Sequence, residues 1–172
     1  MKVRKKLESE DMIHDIGEYV KYLDGVHKRT MQYMKAIPSE LLEWRPSEDK
    51  FSLGDLLRHI ASSRLMFLGI FEHGSWTYAG HDISKGASIE DISNYLESCQ
   101  AKLTEGLLKI GNDVLLKKVL TLHGHEVSAW RILISIPEHE THHRGQISTY
   151  LQMNKIEPPQ IFGLKIEQVT TK

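Results

Sequence analysis

Apolar residues recur every three or four positions along four separate stretches of this chain, and each stretch is closed by a proline, glycine or asparagine. That is the period of an α-helix with one buried face, and such a face is removed from water only by packing against others. The first stripe, Ile13, Ile16, Val20, Leu23, Met34 and Ile37, predicts a helix from about Asp11 to Ile37, stopped by Pro38. His27 and Thr30 fall in the same stripe, so both should face inward and need hydrogen-bond partners. The second helix starts at Ser52, where Ser52-x-x-Asp55 resembles a capping box, buries Leu53, Leu56, Leu57, Ile60 and Phe67, and ends at Gly74. His59 borders that stripe. Ser88-x-x-Asp91 repeats the cap for a third helix, with Ile92, Leu96, Cys99, Leu103, Leu107 and Ile110 inside and Gly111 as its stop. Cys99 on that inner face reads as a buried, inert thiol.

Residues 114–127 break the helical period and read either as a short β-hairpin turning near Gly124 or as an irregular crossover. Ser128 is placed to cap a fourth helix that runs to about Asn154, with Leu133, Ile136, His139, His143, Ile147, Tyr150 and Leu151 on one stripe. Pro137 should kink this helix or mark its true first turn. Pro158-Pro159 forbids helix beyond. Four amphipathic helices with one long crossover between the third and fourth make an all-α four-helix bundle.

A length of 172 residues fits one domain over the whole chain, 1–172, able to bury a core without disulfides. The single cysteine points to a reducing compartment. The basic start, Met1 to Lys6, leads into acidic residues rather than an apolar signal core, and no stretch approaches the length of a membrane span, so a cytoplasmic protein is expected. With 22 basic and 23 acidic residues, the charge balance gives no reason to propose nucleic-acid or membrane binding.

The chemistry concentrates in His139-Glu140-Thr141-His142-His143-Arg144-Gly145-Gln146. His139 and His143 lie one helical turn apart on one face, where both imidazoles can reach one metal ion. His139-Glu140-x-x-His143 also fits the zinc-protease pattern, with Glu140 as general base. That pattern needs a third ligand downstream. No histidine follows His143, and the downstream glutamates are Glu157, beside Pro158-Pro159, and Glu167, near the end of the chain. Gln146, three residues beyond His143 on the same face, is a candidate to orient a ligand or a bound cofactor water. Glu140 and His142 turn away from the ligand face and read as surface or interface residues. Arg144 is expected to pair with a carboxylate, and Gly145 to allow close helix approach. His123 and His125 read as solvated, while His14, His73 and His81 carry no distinguishing context.

The chain resembles the DinB/YfiT-like superfamily of metal-binding four-helix bundles. The resemblance rests on Trp44-Arg45-Pro46 followed by Phe51 to His59, on His139 to Ile147, and on Tyr150-Leu151 through Pro158-Pro159. It implies three metal ligands, one from the second helix and two from the last: His59, His139 and His143. It also implies a divalent ion such as zinc or nickel, a homodimer, a link to stress or DNA damage, and in some members transfer of a low-molecular-weight thiol to a small-molecule substrate. The alternatives are a non-catalytic stress-response module holding a metal, and a metal-dependent hydrolase using Glu140.

Overall fold

The computed structural model describes residues 13–163. Four helices make up most of it: α1 (Ile16–Lys35), α2 (Leu53–His73), α3 (Ile89–Ile110) and α4 (Ala129–Met153). The caps follow the sequence closely at α2 and α3. Ser52 and Ser88 each accept from the backbone of the aspartate three residues on, and each aspartate reaches back to its serine's N–H. Gly74 closes α2 in the left-handed region, at φ 69°, where a side chain would be strained.

The start of α1 and the cap of α4 differ from expectation. Helix α1 starts at Ile16, because Asp15 adopts extended backbone and its carboxylate accepts from the N–H of Glu18. Asp11 lies outside the described residues. Ser128 precedes α4 but its side chain makes no cap, because its hydroxyl accepts instead from the ammonium of Lys118 at 2.9 Å. Lys118 and Ser128 are partners in the crossover, which is a two-stranded antiparallel hairpin of β1 (Lys118–Leu120) and β2 (Glu126–Ser128). Gly124 turns it at φ 77°, and the second strand runs directly into α4.

Helices α1 and α2 each pack against both α3 and α4, so the chain's first two helices lie across the bundle from one another. This arrangement seats α2 beside α4. Buried apolar side chains form two clusters along the bundle. One joins Ile16, Val20 and Leu23 to Phe67, Leu103, Leu107 and Leu133. The other joins Met34, Leu53, Leu57 and Ile60 to Leu96, Cys99 and Ile147. Polar side chains of the intervening turns meet between them: Thr30, Arg64 and Glu140, with Gln100 donating to Asp24 at 2.9 Å. Cys99 lies in the second cluster, where burial pushes its thiol up and keeps it inert. No helix among the described residues is long and apolar enough to cross a membrane.

Pro137 does not begin α4; the helix runs through it. A proline has no N–H, so the carbonyl of Leu133, four residues back, loses its helical donor. The Tyr19 hydroxyl, buried on α1, donates to that carbonyl at 2.5 Å. Burial holds the Tyr19 pKa well above the ordinary phenol value, which keeps it a donor. Tyr19→Phe should therefore leave a buried carbonyl unpaired and cost about 1–3 kcal/mol in chemical denaturation. An unchanged midpoint would mean that the carbonyl is satisfied in another way.

Candidate metal centre

His59 projects from the N-terminal third of α2, and His139 and His143 from consecutive turns of α4. Because α2 and α4 are neighbours, the three imidazoles meet. The Nε2 atoms of His59 and His139 are 2.9 Å apart, and those of His143 and His139 are 3.1 Å apart. Each ring is partly buried. The expectation that these three histidines come together is what the geometry contains.

Burial, then the neighbouring histidines, lowers the pKa of His59 to about 3. Burial followed by His143 and His142 lowers that of His139 to about 4. His143 is also lowered, chiefly by burial, against an opposing hydrogen bond from Gln146. All three rings are therefore neutral at physiological pH, the form in which imidazole binds metal. The amide oxygen of Gln146 accepts from Nδ1 of His143 at 2.7 Å. The proton of that ring then sits on Nδ1, and Nε2 presents a lone pair. Three imidazole nitrogens gathered this closely are the ligand type and number that fit a divalent metal ion. Gln146 thus sets the tautomer of His143.

Residues outside the sequence motif complete the surroundings. The Tyr78 hydroxyl lies 2.6 Å from Nδ1 of His59 and 2.8 Å from Nδ1 of His81. Phe51 packs against His59 and His81, and Phe67 against His139, with ring centroids 4.2–5.8 Å apart. Tyr78 and His81 occupy the connection after α2, where no periodicity marks a residue as inward. Their only sequence signal was an aromatic and a histidine flanking Gly80.

Several neighbouring expectations are corrected. Glu140 is not a surface residue: it is buried, accepting from Thr30 at 2.6 Å and from Arg64 Nη2 at 2.8 Å. One position past His139 on the helix, it faces the polar layer between the clusters rather than the three imidazole nitrogens. Thr30 has the partner its position demanded. His27 does not: its Nδ1 is buried without one among the described residues, and burial followed by Arg64 holds its pKa below the usual value. Arg144 forms no ion pair among the described residues; it reaches only the Thr141 hydroxyl, at 3.4 Å. Gly145 permits no close approach, since a Cβ there would meet open space. The tight glycines are Gly54, facing Arg58 and Glu43, Gly86, against Ile92, and Gly106, against Leu68. His142 is exposed, as expected, and with Gly145, Tyr19 and Tyr22 lines an open groove of about 900 Å³ between α1 and α4. None of the three clustered histidines lines that groove. His123 and His125 are exposed on the hairpin. Glu167 lies outside the described residues, and the third side chain beside His139 and His143 is His59.

Three solved structures share this architecture. A DinB-like protein from Bacillus cereus superposes with a TM-score of 0.72 at 16% identity, covering 90% of this chain and 100% of its own. The DinB-like protein YjoA from Bacillus subtilis gives 0.66 at 20% identity, covering 84% and 96%. YfiT from Bacillus subtilis, described as "a probable metal-dependent hydrolase with an unusual four-helix bundle topology", gives 0.69 at 13% identity, covering 91% and 95%. At these identities the likeness concerns the fold. No curated protein matches the chain. The DinB family model matches residues 7–170, nearly the whole chain, and the protein belongs to the DinB family.

Proposed function

We propose that this chain is a metal-dependent enzyme in which His59, His139 and His143 hold one divalent ion, zinc or nickel, and that it transfers a low-molecular-weight thiol to an electrophilic small molecule. One observation carries the metal assignment: three partly buried imidazoles turn Nε2 towards one another, with one potential ligand atom from each lying within 4.8 Å of the others. Three protein ligands with an accessible further position is the pattern of a catalytic rather than a structural centre. A divalent ion bound there supplies Lewis-acid chemistry, lowering the pKa of a nucleophile and stabilising developing negative charge.

The protein's own groups favour a thiol as that nucleophile. Glu140, the carboxylate that a hydrolytic mechanism would use as base, is committed to Arg64 and Thr30. A thiol ionises near a pKa of about 8.5 and needs little help from a base. Phe51, half-buried against His59, offers apolar surface to the carbon skeleton of a substrate. In the transfer the thiol gives up its proton, a carbon–sulfur bond forms, and the leaving group departs with its electron pair.

Hydrolysis is the second reading, favoured by the description of YfiT; water would replace the thiol at the same centre. A third reading, a non-catalytic stress-response module, would require an ion closed off from substrate. The deciding experiment incubates zinc- or nickel-loaded protein, free of any histidine tag, with a small thiol and an alkyl or epoxide electrophile. The expected result is thioether formation that a chelator stops. Ester or amide cleavage without thiol consumption would replace this reading with hydrolysis. A tightly held ion with neither reaction would replace it with the binding module.

A further inference from the structure

We infer that Tyr78 is a positioning residue of the three-histidine centre: its phenol fixes the tautomer of His59, and His81 in turn fixes the phenol. The inference rests on the metal reading above and extends it to the connection between α2 and α3.

A neutral imidazole carries one ring proton. For His59 to offer an Nε2 lone pair towards His139 and His143, that proton must sit on Nδ1. Nδ1 lies 2.6 Å from the Tyr78 hydroxyl, so the phenol oxygen accepts. The phenol's own proton is then free to be donated to Nδ1 of His81, 2.8 Å away. The chain of hydrogen bonds has one productive direction, from His59 through Tyr78 to His81. Were Tyr78 to donate to His59 instead, the ring proton would move to Nε2 and remove the lone pair from the cluster.

The connection is stapled to the helix that carries His59, so the contact is built rather than incidental. Ser62, three residues after His59 on α2, donates to the carbonyl of Gly80 at 2.5 Å. Arg58, adjacent to His59 and fully buried, donates through Nε to the carbonyl of Gly86 at 2.8 Å. The same guanidinium is held by Asp55 at 3.0 Å and by Glu43. Phe51 packs against His81 at a 42° tilt, with centroids 4.2 Å apart, and holds the far end of the relay. Gln146 does for His143 what Tyr78 does for His59, by a different side chain from a different element.

The test uses Tyr78→Phe, which removes only a hydroxyl from a side chain 38% exposed, and His81→Ala, which removes the acceptor. Zinc and nickel dissociation constants of the tag-free parent and both variants are measured by competition with a chromogenic chelator. The His59 ring nitrogens are read by NMR in the metal-free proteins. Tyr78→Phe should weaken metal binding by about 10- to 100-fold and lose the preference for the Nδ1-protonated ring. His81→Ala should shift both readouts in the same direction. A purely structural tyrosine would not move the tautomer. A Tyr78→Phe protein with the parent's affinity and tautomer overturns the inference while leaving the metal reading intact. A parent that takes up neither ion overturns the metal reading, and this inference with it.

Discussion

His59→Ala is expected to come off purification without metal, and the tag-free parent with about one ion per chain by elemental mass spectrometry. The loss is expected to be nearly complete, because His139 and His143 share one helix face and by themselves hold an ion from one side only. His59 is partly exposed at the edge of the α2 stripe, so its truncation leaves the apolar clusters in place and the variant should keep its helical circular dichroism. His142→Ala is the control. His142 lies beside His143 in the chain but is exposed on the groove between α1 and α4, and its removal should leave the metal content unchanged. A His59→Ala protein that retains its ion would place the third ligand elsewhere and restore the protease-like set.

Glu140→Ala should act on stability before it acts on chemistry. Glu140 and Arg64 are both buried, and cutting one from the pair strands a guanidinium away from water and leaves Thr30 without its acceptor. Breaking a buried pair in this way costs about 3–5 kcal/mol. For a domain of this size that lowers the thermal midpoint by roughly 6–20 °C. Unfolding is followed by circular dichroism at matched metal content. Replacing both partners with apolar residues, as in Arg64→Met with Glu140→Leu, should recover most of the loss, because no charge is then left unpaired. A Glu140→Gln protein that melts like the parent but has lost all turnover would return Glu140 to the role of catalytic base.

The contrast between His139 and Glu140 marks where reading a sequence stops. Spacing says that His139 and His143 share a face, because helix geometry is local and nearly invariant. It also says that Glu140 points elsewhere, but not whether that direction is solvent or the partner helix bearing Arg64. Arg144 and Gly145 failed for the same reason: the identity of the facing helix, which supplies or withholds a carboxylate or a close backbone, is not written in a residue's own neighbourhood. His59 reached the ligand set through family resemblance alone. The structure supplies the physical ground, which is that α2 lies beside α4.

Hydrogen bonds between residues three apart could be read directly, and the caps at Ser52 and Ser88 were. Ser128 could not, because its hydroxyl is taken by Lys118 across a hairpin. The sequence by itself determined the four helices, their stops, the inward stripes and the paired imidazoles of α4, all of which depend on interactions within a few residues. Tertiary structure alone decided which helices are neighbours, that Tyr19 supplies the donor Pro137 lacks, that Glu140 is buried against Arg64, and that Tyr78 and His81 stand behind His59. Those contacts join residues distant in the chain, and their partners are chosen by how the stripes pack rather than by the residues between them.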